Sequence, residues 1–210
     1  MKQSVPVILA SASPRRREIL AMLGIEFTVE ASSADETVTL TEPGEIVTEL
    51  AMRKAEAVFH KHKEDCLVIG SDTIVWKDDR ILGKPVDTAD AEAILRILSG
   101  DINTVYTGVC LLYRKNGTVV RETFSEAADV SFAKMSEEEI RWYAATGEPM
   151  DKAGAYAVQG LGGRFIRGIH GDFYTVVGLP LHRLYEMMRK IGVLTEEVSS
   201  EETTTEEIKE

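Results

Sequence analysis

The feature that most constrains the fold is the run CLVIGSDTIVWKDD, from Cys66 to Asp79. Its first residues are apolar on both faces, which is typical of a strand in the centre of a sheet that is covered on both sides. Asp72 interrupts this run. Because an ionised carboxylate is very costly to bury alone, Asp72 needs a cation, hydrogen-bond donors or protonation. Asp72 is therefore a candidate metal ligand or general base, and a structural aspartate paired with an arginine is the alternative.

Around this strand, the sequence pattern predicts strands and helices that do not alternate regularly. Further strands are predicted over residues 5–10, 26–32, 103–114, 118–133 and 166–169, and helices over residues 14–23, 43–62, 87–99, 136–146 and 179–191. The dipeptide Asn116-Gly117 predicts a tight hairpin between two of the strands. We therefore expect an α/β fold with one twisted mixed sheet and flanking helices.

Three consecutive arginines open the first predicted helix, in the stretch SASPRRREIL. A basic side chain in the first turn costs roughly 0.3–1 kcal/mol when exposed, because the helix dipole is positive there. A bound anion would reverse that sign. On a helical wheel Arg15 and Arg16 project with apolar residues of the next turns, whereas Arg17 does not. The pattern predicts an anion site at Arg15 and Arg16 and an exposed Arg17.

Four other charged residues lie close to apolar or glycine-containing segments: Glu36, Lys54, Lys84 and Lys152. Glu36 could be an ordinary surface glutamate, and Lys54 could cover apolar surface with its aliphatic stem. Together with Asp72 and the arginines they suit polyphosphate chemistry, in which cations hold phosphate oxygens and carboxylates hold a hard divalent ion. The sequence contains neither GxxxxGK[ST] nor GxGxxG, which excludes a P-loop and a dinucleotide fingerprint.

Composition excludes several other classes of protein. A net charge of −11 disfavours broad binding to nucleic-acid polymers, and no apolar segment reaches the length of a membrane span. The four histidines follow no zinc pattern, and Cys66 and Cys110 are expected to be buried, reduced thiols. A cytoplasmic location is the default expectation. Residues 1–193 are predicted to form one domain and residues 194–210 an acidic disordered tail that carries most of the negative charge.

Eight fragments occur in the order typical of one known family: LASASPRRREIL, SADE, LAMRKA, GSDT, GKP, YTGV, DKAGAYAVQG and GDFYTVVGLP. From Val7 to about Ile191 the chain resembles the Maf family of nucleoside triphosphate pyrophosphatases. The resemblance implies an elongated α/β domain with a central cleft, similar to inosine-triphosphate pyrophosphatases. It also implies a homodimer and a divalent metal cofactor, Mg²⁺ or Mn²⁺.

The resemblance also implies roles for individual residues. Asp72 matches the catalytic base, and Glu36 matches an acidic position near the metal. The trio that marks the branch acting on dTTP and UTP is matched by Arg15, Thr73 and Gln159. Other polar positions that line the cleft are matched by Ser11, Arg16, Lys54, Lys84 and Lys152.

We therefore expect hydrolysis of dTTP and UTP to the nucleoside monophosphate and pyrophosphate. A glutamine amide can hydrogen-bond the imide edge of uracil or thymine, and a buried partner of this kind rejects bases that leave it unpaired. One alternative is a Maf-type pyrophosphatase with another base preference, such as modified nucleotides or 7-methyl-GTP. The other is a nucleotide-binding regulator of cell division.

Overall fold

A computed structural model describes residues 2–195 of the chain. Its strands are β1 Lys2–Gln3, β2 Val7–Leu9, β3 Phe27–Val29, β4 Cys66–Lys77, β5 Arg80–Leu82, β6 Ile102–Lys115, β7 Thr118–Phe132, β8 Ile166–His170 and β9 Leu194–Thr195. Its α-helices are α1 Pro14–Ala21, α2 Pro43–Phe59, α3 Thr88–Leu98, α4 Glu137–Ala145, α5 Phe173–Val177 and α6 Leu181–Lys190. Short 3₁₀ turns cover Glu148–Asp151, Ala153–Ala155 and Leu161–Phe165.

The main sheet is mixed, which confirms the predicted fold class. Its strand order is β3-β2-β4-β6-β7-β8, with β5 paired to one end of β4. β2 runs parallel to both β3 and β4, and the remaining pairs are antiparallel. The β6–β7 hairpin turns at Asn116 and Gly117, whose φ angles of 49° and 78° are those that a tight hairpin requires.

β4 is the central strand, as its sequence predicts. Every residue from Cys66 to Asp72 is buried. In the register with β6, Asp72 lies opposite Gly108 and Thr73 lies opposite Thr107. The polar residues of the run therefore lie in the middle of the sheet rather than at its edge.

Helix α2 lies directly on β4 and β6 because both strands carry a glycine beneath it. A Cβ at Gly70 would overlap the carbonyl oxygen of Ala51, and one at Gly108 would overlap the backbone of Val47. The absence of these two side chains lets the helix approach closer than any other residue would allow. This contact sets how far Lys54, on the same helix, can reach over the sheet.

Two large apolar clusters flank this centre. One joins α1 and α6 to the ends of β2, β4 and β6, and the other packs α3 and α4 against the opposite end of the sheet. Cys66 and Cys110 are buried free thiols, as predicted, and burial raises the pKa of Cys110 to about 12. None of the helices within residues 2–195 is long and apolar enough to cross a membrane.

The structure corrects the sequence-based boundaries in three places. Helix α5, at Phe173–Val177, and strand β5, at Arg80–Leu82, were not predicted. Leu194 and Thr195, assigned to the tail by the sequence, instead form β9 and pair with Lys2–Gln3. Leu194 is 1% exposed, so its apolar side chain accounts for the extra strand. The rest of the predicted tail, residues 196–210, lies outside the described residues.

Candidate active site

A cleft of about 730 Å³, open to solvent, runs across the carboxyl end of β2 and the middle of β4. The start of α1, the segment after β3, helix α2 and the loop after β5 form its walls. Eight residues that the sequence singled out line it: Ser11, Arg15, Arg16, Glu36, Lys54, Asp72, Thr73 and Lys84. The fold thus brings together residues that lie up to 73 positions apart in the chain.

A lysine between two carboxylates forms the floor of the cleft. Lys54 Nζ lies 2.5 Å from Asp72 Oδ1 and 2.7 Å from Glu36 Oε1. The side chains of Lys54 and Asp72 are only 13% and 11% exposed, whereas that of Glu36 is 65% exposed. The hydrogen bond from Lys54 lowers the pKa of the Glu36 carboxyl. The cation that buried Asp72 requires is therefore a lysine, not the arginine of the alternative considered above.

The start of α1 places two arginines on the cleft in different ways. Ser13 caps the helix by accepting a hydrogen bond from Arg16 N, and Pro14 follows as the first helical residue. Arg15 lines the cleft and has no hydrogen bond or ion pair with any residue from 2 to 195. Arg17 is exposed. Arg15 therefore has all five of its donors available to a ligand.

Arg16, in contrast, is held by the protein. Its Nε donates to Gly178 O at 2.9 Å, and its two terminal nitrogens donate to Ser11 Oγ at 3.3 Å and Thr73 Oγ1 at 3.0 Å. Burial lowers the pKa of its guanidinium, and the charge of Asp72 acts in the opposite direction. Arg16 thus joins α1 to β4 and to the loop after α5, and presents a fixed positive charge to the cleft.

Two further predicted cations lie in different surroundings. Lys84 is exposed in the loop after β5, lines the cleft, and has no hydrogen bond within residues 2–195. Lys152 does not line the cleft. It forms an ion pair with Asp151, donates to Glu148 O at 3.3 Å, and lines a smaller pocket next door.

This smaller pocket, of about 80 Å³, shares Arg15 and Thr73 with the cleft. Gln159 lies on its rim, is exposed, and makes no hydrogen bond with the described part of the chain. Several of its walls are apolar: Val75, Val105, Tyr156, Val158, Val176 and Val177. The three residues that the resemblance assigned to base selection thus share one pocket, beside the charged cleft.

Glu148 holds the loop that carries Gln159, a contact that the sequence analysis did not predict. Its carboxylate accepts hydrogen bonds from Leu161 N at 2.9 Å, Gly162 N at 3.0 Å and Tyr143 Oη at 2.8 Å. The Tyr143 hydroxyl in turn accepts from Ala157 N at 3.1 Å. In the sequence, Glu148 is an acidic residue three positions before the fragment DKAGAYAVQG, with no pattern that marks its role.

Arg53 holds the segment that carries Glu36, and it too was missed. Its Nη1 donates to the carbonyl oxygens of Thr37 at 2.7 Å and Asp35 at 3.3 Å, while its Nε donates to Glu49 one helical turn earlier. The segment around Glu36 has no regular secondary structure. Arg53 therefore fixes one carboxylate of the cleft from α2, the helix that also supplies Lys54.

The donor set fits a divalent metal held partly by substrate. Within residues 2–195 no group of three or more His, Cys, Asp or Glu side chains is placed to hold a metal ion. Glu36 and Asp72, however, both place an oxygen on the same ammonium group. Mg²⁺ is commonly bound by one or two carboxylates, with phosphate oxygens and waters as the other ligands. Two converging carboxylates in a cleft that is also lined by cations match that mode of binding.

A family model described as Maf-like protein matches residues 6–191. The dTTP/UTP pyrophosphatase of Agathobacter rectalis is 47% identical over 200 residues, covering 89% of this chain and 98% of the relative. That of Bacillus cytotoxicus is 48% identical over 184 residues, covering 87% of this chain and 94% of the relative.

Among solved structures, the Staphylococcus aureus Ham1 protein aligns with 89% of this chain and 99% of its own, at a TM-score of 0.48 and 12% identity. A nucleoside-triphosphatase / dITP/XTP pyrophosphatase from Mycobacterium abscessus aligns with 88% of this chain and 95% of its own, at a TM-score of 0.41 and 14% identity.

Proposed function

The chain belongs to the Maf family, and from that premise we propose that it hydrolyses dTTP and UTP to the nucleoside monophosphate and pyrophosphate. The observation that carries this proposal is that the cleft with Lys54, Glu36 and Asp72 shares Arg15 and Thr73 with the pocket that Gln159 lines, so the two lie side by side. One end of this site suits a triphosphate and the other a pyrimidine base. The relatives named dTTP/UTP pyrophosphatase support the same substrates.

In the proposed reaction, Asp72 acts as the general base. Its carboxylate orients a water molecule and takes its proton as the water oxygen attacks the α-phosphorus. The bond from the α-phosphorus to the bridging oxygen breaks, and pyrophosphate leaves with that oxygen. The buried position of Asp72 at the floor of the cleft supports this role.

The cations of the cleft compensate the charge of the triphosphate and of the departing pyrophosphate. Arg15 and Lys84 line the cleft with donors that no described residue occupies, so these donors are available to phosphate oxygens. Arg16 supplies a fixed charge, and Lys54 balances the two carboxylates. Ser11 contributes by holding Arg16 in place. Such pre-positioned charges stabilise a transition state without reorganisation during the reaction.

We assign Glu36 and Asp72 as the residues that would hold a divalent cation, Mg²⁺ or Mn²⁺, together with phosphate oxygens. When bound, such an ion neutralises phosphate charge and lowers the pKa of a bound water. Their shared contact with Lys54 supports the assignment, since the two carboxylates already converge on one positive charge.

Base selection belongs to the smaller pocket. The amide of Gln159 can donate a hydrogen bond to a carbonyl oxygen on the imide edge of uracil or thymine, and the free donors of Arg15 suit the other base carbonyl. The valine walls suit the apolar faces of a base and a thymine methyl group. Lys152 holds the segment between this pocket and Glu148.

We also propose a homodimer in the cytoplasm that acts on nucleotides rather than on nucleic-acid polymers, with a catalytic domain that extends through β9 to Thr195. Membership of the family supports the dimer and the location, and the net charge of −11 supports the choice of small substrates. Light scattering coupled to size exclusion measures the oligomeric state; a monomeric mass in solution would contradict the dimer.

A substrate panel with product identification by chromatography tests the activity. The protein is incubated with UTP, dTTP, CTP and 7-methyl-GTP, each with Mg²⁺ or Mn²⁺. We expect the highest kcat/KM for UTP and dTTP, with the monophosphate and pyrophosphate as products. Release of orthophosphate would refute the position of cleavage, and a preference for 7-methyl-GTP would place the protein in another branch. Tight UTP binding without turnover under either metal would favour a regulatory binding protein.

A further inference from the structure

A chain of hydroxyl groups runs beneath the smaller pocket and ends at Thr73. Thr73 Oγ1 lies 2.9 Å from Thr107 Oγ1, and Thr107 Oγ1 lies 2.7 Å from Thr175 O. Thr107 is fully buried on β6, opposite Thr73 in the sheet register. From the other side, Arg16 donates a hydrogen bond to Thr73 Oγ1 at 3.0 Å.

The direction of each hydrogen bond in this series of hydroxyl groups is fixed. Thr175 O is a carbonyl and can only accept, so Thr107 donates to it. The helical partner for that carbonyl would be Leu179 N, but Leu179 N donates to Tyr174 O instead. A carbonyl left without a donor in this buried position would cost free energy, which commits the only hydrogen of Thr107 to Thr175.

Because the hydrogen of Thr107 is committed, Thr73 must donate its own hydrogen to Thr107. A threonine hydroxyl has one hydrogen and two lone pairs. The hydrogen of Thr73 goes to Thr107, and one lone pair receives the hydrogen bond from Arg16. What remains for a ligand in the pocket is a single lone pair. Thr73 is therefore an acceptor only, although its side chain is of a type that normally does both.

We propose that Thr107 acts as a specificity-determining positioning residue, because it makes Thr73 an acceptor for pyrimidines that carry a hydrogen on ring nitrogen N3. Uracil and thymine carry that hydrogen, whereas cytosine has a lone pair there. This inference rests on the proposed function and concerns how the same pocket chooses its base. Thr73 lines that pocket together with Arg15 and Gln159, which supply the donors for base carbonyls.

When cytosine binds, its N3 lone pair faces the lone pair of Thr73, and neither atom has a hydrogen to donate. One such mismatch corresponds to roughly a tenfold to hundredfold loss in kcat/KM. The wild-type protein allows a direct test with CTP and 3-deaza-CTP. The analogue replaces ring nitrogen N3 by a C–H group and keeps the exocyclic amine, so the two substrates differ only at the atom that faces Thr73. We expect kcat/KM for 3-deaza-CTP to exceed that for CTP by about tenfold. Equal values would overturn the proposal.

Variants of Thr107 test the series of hydrogen bonds from Thr175 to Thr73. In Thr107→Val, the hydrogen of Thr73 is free to turn into the pocket, so CTP gains and the UTP/CTP ratio of kcat/KM falls by about tenfold. Thr107→Ser keeps the hydroxyl and should keep the ratio. Thr104→Val is the matched control, since it removes another hydroxyl of β6, one that binds Asp129. A folded Thr107→Val protein with the wild-type ratio would overturn the proposal.

Two further measurements distinguish failure of the Thr107 inference from loss of folding and from failure of the proposed function. If Thr107→Val does not fold, the comparison of CTP with 3-deaza-CTP on the wild-type protein decides the question. If the wild-type protein does not turn over UTP, the proposed function fails. The ratio of affinities for the α,β-methylene analogues of UTP and CTP, measured by calorimetry, then still reports whether Thr107 sets the choice of base.

Discussion

The cleft and the smaller pocket differ in the side chains and in the kinds of backbone segment that form them. The cleft places Asp72 and Lys54, charged groups of a central strand and a long helix, within 2.5 Å of each other. The pocket combines apolar walls and a hydroxyl with an irregular loop of 3₁₀ turns, held from below by Glu148. The two share only a few residues, Arg15 and Thr73 among them.

This difference separates two tasks. Charge compensation for a triphosphate is the same for every nucleotide, so it can be built into rigid elements of the sheet and helices. The choice of base depends on one or two hydrogen bonds, whose direction is set by residues beneath the pocket. Changes in the cleft should therefore alter turnover of all nucleotides together, and changes around the pocket should alter the ratio between nucleotides.

The largest effect is expected for Asp72→Asn. The amide keeps the shape of the carboxylate and cannot accept a proton from water, so kcat should fall by the ~10²–10⁴-fold typical of general-base catalysis. If the two tasks are separate, kcat should fall by the same factor for UTP and for CTP. Rapid-quench or steady-state assay of pyrophosphate release measures both.

Asp79→Asn is the matched control for this change, because Asp79 is exposed at the turn of the same β4–β5 hairpin. It should leave kcat unchanged. Near-normal turnover of Asp72→Asn would remove Asp72 from the role of base, and a loss confined to UTP would break the separation of the two tasks.

A smaller effect is expected for Glu148→Gln. A glutamine accepts hydrogen bonds through one oxygen instead of two. Its NH₂ group must therefore face at least one of the donors on Tyr143, Leu161 or Gly162. The loop that carries Gln159 should loosen. We expect a higher KM for UTP and a UTP/CTP ratio lower by roughly tenfold, with kcat little changed.

Glu138→Gln serves as the control, since Glu138 is exposed on the first turn of α4. Steady-state kinetics and thermal unfolding of both variants separate a local change in the loop from a loss of folded protein. If Glu148→Gln lowered kcat for every nucleotide and left the ratio intact, the loop would belong to the chemistry rather than to selection.

The smallest effect concerns the pH dependence of Glu36. Its pKa is lowered chiefly by the hydrogen bond from Lys54. Because the folded-state pKa lies below the unfolded value, this pair stabilises the fold at pH above the unfolded pKa, and the contribution is lost as pH falls through the folded pKa. Lys54→Met should return the pKa of Glu36 toward its usual value. Carbon-13 NMR of the carboxyl groups in the free protein measures the shift.

Lys61→Met is the control for this titration, because Lys61 lowers the pKa of a different glutamate, Glu30, on the surface. It should raise the pKa of Glu30 and leave that of Glu36 unchanged. A pKa of Glu36 that does not respond to loss of Lys54 would show that the three-residue contact does not persist in solution.

Much of the charged cleft could be predicted from the sequence because its residues lie on regular elements. Asp72 is conspicuous within an apolar strand, and Arg15 and Arg16 follow from the helical wheel of α1. The ion pair of Lys54 could not be predicted in the same way. Whether its side chain covers apolar surface or reaches Asp72 depends on how closely α2 approaches the sheet, which is a long-range property.

The smaller pocket was less predictable for physical reasons. Helix α5 has five residues, too few for a periodic signal, and the 3₁₀ turns around Gln159 have none. Thr107 looks in the sequence like any threonine of a β-strand, since its role comes from the neighbours on each side of the sheet. Glu148 and Arg53 act through backbone groups, which carry no signature of their own.

The two glycines beneath α2 have an effect beyond packing. A single added methyl group at position 70 would lift the helix and draw the ammonium of Lys54 away from the acid it neutralises, with every reactive group still present. A mutational scan would then score an inert position as essential to turnover. The distance between the reactive groups of this protein thus depends partly on two positions that have no side chain.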